Sequence, residues 1–149
     1  MSIMKKTAIQ IAFLTSLIIG VSTIVQAQAD KIEGMWFNDV KDAKIQIYKA
    51  GDGKFYGKIV WLKEPLKNGK PKVDEKNREA SLKNQTLISL VILKGFQKEG
   101  DTYKEGTIYD PENGKVYDCK MTYNGKKLSI RGFIGFSFIG RTTVWERAS

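Results

Sequence analysis

Three carboxylates in the stretch "VDEKNREASLKN", residues 73–84, come nearest in type and spacing to doing chemistry. Two acids suffice for glycoside hydrolysis, one as general acid and one as nucleophile or base. Asp74, Glu75 and Glu79 therefore define a carboxylate-based hydrolase as one minor reading. The same stretch and its flanks carry Lys70, Lys72, Lys76, Arg78 and Lys83. Mixed charge of this density also describes a solvated surface, with Asp74 or Asn77 capping a short helix. The other candidates fail on spacing or composition. Histidine is absent, which removes Ser-His-acid and Cys-His nucleophiles and the commonest metal ligand. In "GFSFIG", 135–140, two residues rather than one separate Ser137 from the next glycine, so it is no nucleophile elbow. "GDGKFYGK", 51–58, misses the phosphate-loop spacing by one residue and reads better as an Asp-Gly hairpin. No catalytic residue, metal site or cofactor is assigned, and the chain reads as a non-enzyme.

The amino terminus addresses the chain rather than shaping it. Lys5 and Lys6 precede a mostly apolar run, Thr7 to Val25, and Ala27-Gln28-Ala29 supplies small residues in the spacing signal peptidase reads. Residues 1–29 are predicted to be a signal peptide cleaved after Ala29, although an uncleaved anchor has a similar apolar length. Polar Gln10, Thr15, Ser16, Ser22 and Thr23 argue for cleavage. The remaining residues, 30–149, form one small domain in the periplasm or outside the cell, with no membrane span. Losing two lysines and no acids leaves 23 basic against 16 acidic residues, a net charge of +7. Export makes nucleic acid an improbable neighbour and an anionic envelope surface a natural one. Cys119 is the sole cysteine, so no internal disulfide forms, and burial is its expected fate.

These residues must be positioned by strands. Runs of β-branched and aromatic residues alternate with Gly, Asn, Asp and Lys, predicting strands near 33–38, 43–50, 54–63, 86–94, 102–109, 115–124, 127–133 and 136–147. Asp52-Gly53, "DPENGK" at 110–115 and Asn124-Gly125 supply turns. The fold predicted is all-β, an antiparallel up-and-down barrel of about eight strands. One long connection, 64–85, could carry a short helix within "NREASLKN". An open sandwich is the alternative.

In such a barrel the first strand pairs with the last. Trp36 would plug the base, Gly34 would allow a close approach, and Arg147 or, second, Arg141 would lie across the indole near Trp145. A Gly-x-Trp on the first strand with a basic residue returning from the last resembles the lipocalin and wider calycin pattern. Longer blocks are more specific: Gly34-Met35-Trp36, "GKIVWL" at 57–62, "GKPKVDEKN" at 69–77, "GTIYDPENGKVYDCK" at 106–120 and "LSIRGFIGFSFIGRTTVWER" at 128–147. In this order they resemble the bacterial exported family called domain of unknown function 2147. The sequence departs from it at Ser89-Leu90, where a glycine is expected. The resemblance implies no established activity, substrate or catalytic residue.

Two functions from different classes remain. Strand parity offers Phe55, Ile59 and Trp61 on one face and Tyr117, Met121 and Tyr123 on another, with Phe136 and Phe138 close in sequence. Converging on a cavity, they would hold a lipid or other small apolar or amphipathic ligand, with Arg131 meeting a carboxylate or phosphate or else lying on the outer wall. Alternatively the barrel is filled, and the protein is a structural or interaction module contacting partners through its lysines and residues 64–85. The sequence sets neither the ligand nor the oligomeric state.

Overall fold

The computed structural model describes residue 22 and residues 27–149. The rest of the predicted signal segment lies outside the described residues. Ten strands follow in chain order: β1 (Gly34–Phe37), β2 (Ala43–Lys49), β3 (Phe55–Leu62), β4 (Leu66–Lys67), β5 (Lys70–Pro71), β6 (Val91–Glu99), β7 (Thr102–Asp110), β8 (Lys115–Tyr123), β9 (Lys127–Phe133) and β10 (Gly140–Arg147). Eight of them close a barrel in the order β1-β10-β9-β8-β7-β6-β3-β2, while β4 and β5 make a separate small hairpin. All the pairings are antiparallel, and β10 returns to β1 through Trp36↔Arg147 and Phe37↔Glu146. Closure leaves no free edge in the barrel sheet.

Local sequence explains the meander. In β2, Ala43, Ile45 and Ile47 are buried and the residues between them half-buried, the period-two pattern of a strand with one face inward. At the β2–β3 turn the Lys54 amide donates to the Asp52 carboxylate at 2.9 Å. At the β8–β9 turn the Lys127 amide donates to Asn124 Oδ1 at 2.7 Å. Gly114 ends the 110–114 turn at φ +70°, and a Cβ there would lie 2.0 Å from the Lys76 carbonyl oxygen. Only glycine fits, and the long connection is thereby seated against this turn.

Two predicted strands begin elsewhere. The strand expected at 86–94 spans 91–99, because Ser89 takes a left-handed φ of +76° and breaks extension before Val91. Its neighbourhood still grips β3: the Ser89 amide donates to the Ile59 carbonyl at 2.7 Å, and the Ile59 amide to that of Leu90 at 3.0 Å. The strand expected at 136–147 starts at Gly140. Short-range bonds, Phe136 N–H to Ile134 C=O and Ile139 N–H to Phe136 C=O, replace the ladder in 134–139. The predicted helix reduces to a 3₁₀ turn, Ala80–Leu82. Among the described residues no helix is long and apolar enough to cross a membrane.

The lumen is solid at one end. Trp36, Phe55, Phe96, Tyr103, Met121 and Leu128 are almost fully buried there, and Phe55 meets Tyr103 edge-to-face at 5.1 Å.

Candidate functional site

The sealed end is built from β1, β10 and the turn before them. Trp36 Nε1 donates to the Ile32 carbonyl at 2.8 Å. Arg147 covers the indole at 4.1 Å and donates from Nη1 to the Glu33 carbonyl (2.8 Å) and from Nη2 to the Lys31 carbonyl (2.6 Å). Gly34 sits beneath at φ +124°, where a Cβ would lie 2.9 Å from Arg147 Nη1. Asp30 ties the turn to the wall through Tyr103 and Lys98. Burial alone would raise the Asp30 carboxyl, but hydrogen bonds from Lys98, Tyr103 and the Ile32 amide outweigh it and hold it below its ordinary value. Arg141 takes no part. It lies near the start of β10, paired with Asp39 at 3.8 Å, because Trp36 is in register with Arg147. Trp145 is buried beside Leu128 in the ladder.

The other end is hollow. A cavity of about 1120 Å³ opens there, with Ile45, Ile59, Ile92, Ile108, Ile130 and Trp145 among its walls. Asp39, Asp42, Glu64, Asp110 and Glu112 line it together with Lys63, Lys72 and Arg141. The chemistry on offer is an apolar well below a polar margin of both signs, which is how small-ligand pockets are generally built.

The seven residues predicted to meet a ligand are spread over three environments. Tyr117 lines the cavity. Phe55 and Met121 are buried in the solid half, and Tyr123 stands edge-on to Trp36 at 6.1 Å. Trp61, Arg131 and Phe138 are outside. Pairing of β2 with β3 passes from Lys44↔Trp61 to Ile45↔Ile59, so Val60 is an extra residue. That bulge turns Trp61 outward, edge-on to Phe37 at 6.1 Å and with Lys44 Nζ 5.5 Å from its ring centre. Arg131 donates to the Ser137 carbonyl and to Thr142 Oγ1, holding the 134–139 loop from the outer wall. Phe138 is 77% exposed and stacks on Phe136. Ile59, offered by strand parity beside Phe55, lines the cavity; the other isoleucine walls were missed because single isoleucines look alike wherever a strand faces inward.

The acids of the long connection part company. Asp74 is fully buried and accepts from Tyr109 Oη (2.7 Å), Asn77 Nδ2 (2.8 Å) and Gln85 Nε2 (3.3 Å). It caps no helix; Asn77 Oδ1 instead accepts from the Glu79 amide at 2.9 Å. Glu75 pairs with Lys67 on the surface at 2.7 Å. Asp74 thus pins residues 72–77 to β7, and Lys72 and Leu87 of this connection become cavity wall. Burial, then the Asp74 hydrogen bond, push the Tyr109 hydroxyl up to about 12. Burial also pushes the Cys119 thiol up to about 12, leaving it a packed hydrophobe. Among the described residues no three His, Cys, Asp or Glu side chains gather as a metal site.

An eight-stranded antiparallel meander, plugged by tryptophan at one end and hollow at the other, is a lipocalin-like barrel. The chain belongs to the family described as "Uncharacterized protein conserved in bacteria (DUF2147)", whose model matches residues 34–147. Its fold is similar to that of protein HP1028 from the human pathogen Helicobacter pylori, described as belonging to the lipocalin family. The two share 22% identity at a TM-score of 0.70, over 82% of this chain and 85% of that one. At that identity the likeness is one of fold. No curated protein matches the chain.

Proposed function

We propose that this is an exported cell-envelope protein that binds a small hydrophobic or amphipathic ligand in the open half of its barrel. One observation carries the reading: the cavity of about 1120 Å³ with its isoleucine and Trp145 walls. Folding tends to fill an apolar interior to near-crystalline density. The sealed half follows that rule and the open half does not. Charges of both signs at the margin suit a ligand whose polar head stays at the mouth. Export rests on Lys5-Lys6, the apolar run and Ala27-Gln28-Ala29.

The filled-barrel scaffold draws support only from the sealed half. A carboxylate hydrolase draws little, since Asp74 turns inward and Glu75 is paired on the surface. Native mass spectrometry of protein purified from its source cells, followed by solvent extraction, tests the proposal. A bound mass of lipid size, released by extraction, is expected. A bare polypeptide mass under gentle ionisation, with no displaceable probe, would overturn it.

A further inference from the structure

Both ends of the barrel carry charged residues, but they differ in exposed apolar surface. The sealed end carries ion pairs, Lys31 with Asp101 and Lys104 with Glu99. At the open rim, Val40, Val116, Ile134, Phe136, Phe138 and Ile139 are each more than half exposed. Four of them fall within the single loop 134–139. Its two phenylalanines stack on one another at 5.5 Å, while Ile134 and Ile139 also border the cavity.

We propose that this loop docks the open end of the barrel on a phospholipid bilayer. The patch is a short loop that presents four large apolar side chains, each more than half exposed, on six consecutive residues. Aromatic and aliphatic side chains on such a loop match the acyl–headgroup boundary, where shallow insertion removes them from water. Loop 134–139 itself carries no charged side chain, Lys115 adjoins Val116, and residues 30–149 carry a net +7, so attraction to an anionic bilayer is general to the domain rather than local to the rim. Arg131, bonded to the Ser137 carbonyl, holds the loop outward. The rim carboxylates Asp39, Asp42, Glu64, Asp110 and Glu112 resist immersion, so contact is shallow and centred on the loop. A bilayer would then face the cavity mouth directly. The docking surface stands independently of what the cavity holds.

The test places an environment-sensitive fluorophore at position 137 by Ser137→Cys in the full chain, with buried Cys119 left unlabelled. Vesicles of phosphatidylethanolamine and phosphatidylglycerol are then added. The expected result is a blue-shifted, brighter emission that spin-labelled lipid quenches. Phe136→Asp/Phe138→Asp should weaken that response about tenfold with an unchanged melting temperature, both side chains being exposed. Any pull by the amino-terminal apolar segment is common to both chains, so the response at position 137 isolates the loop. A label that stays open to aqueous iodide on vesicles would overturn the proposal, as would photocrosslinking from position 137 in cells to a single protein rather than to lipid. Cavity occupancy is read separately by mass, so either proposal can fail alone.

Discussion

The Arg147 guanidinium lies 4.1 Å over the Trp36 indole, and the two residues are direct partners in the ladder that closes the barrel. The same guanidinium satisfies two carbonyls of the turn beneath it. Arg147→Ala should therefore cost about 2 kcal/mol, from a cation–π contact and two modest hydrogen bonds. Arg147→Lys should recover only part of this, because one ammonium cannot reproduce the fork. Urea unfolding followed by tryptophan fluorescence measures both.

Gly34→Ala should also destabilise, by about 1–3 kcal/mol, since it combines a left-handed φ with a Cβ 2.9 Å from Arg147 Nη1. In the double variant with Arg147→Ala the steric part disappears. The two losses should then sum to less than their separate values in a double-mutant cycle.

Acid should loosen the sealed end first. The folded-state pKa of Asp30 is lowered, so its contribution is present above its unfolded value and is lost as pH falls through the folded one. Asp30→Asn should flatten the stability profile below about pH 4, as read by urea midpoints across pH. It should also weaken the alkaline limb, because after burial the Asp30 hydrogen bond is the next cause that raises the Tyr103 hydroxyl. On the alkaline side Tyr109 is raised, to about 12, so its contribution is present below the unfolded pKa near 10 and fades as pH rises toward 12. Tyr109→Phe should flatten only that limb.

Ser89→Gly should stabilise the chain by about 0.5–1 kcal/mol, because Ser89 holds φ +76°, which glycine adopts without steric cost. Thermal unfolding should show a higher midpoint. An unchanged or lower midpoint would mean that the serine side chain offsets its backbone strain.

How much of this was legible follows from how local each signal is. Asp52-Gly53 and Asn124-Gly125 announce their turns from adjacent residues, and Gly34, Trp36 and Arg147 announce closure because a barrel fixes which ends meet. Trp61 was misplaced because parity counts residues, and the bulge at Val60 adds one without altering the pattern. Ser89 was visible as a departure from family, yet only its φ shows that the expected glycine marks a left-handed turn displacing the next strand. Asp74 read as a surface acid or cap. Its burial depends on Tyr109, 35 residues away, and on a connection whose path no local rule supplies.

The most direct test fills the cavity from within. Gly132 lacks a positive φ, and its Cβ would make ordinary contacts with Ile108 and Tyr117 at 3.5 and 3.7 Å, so a larger side chain there points into the open half. An apolar naphthylamine probe should bind the unaltered protein with energy transfer from Trp145, and about tenfold more weakly after Gly132→Leu. Equal binding by both proteins, or binding by neither, would contradict a ligand site in the open half of the barrel.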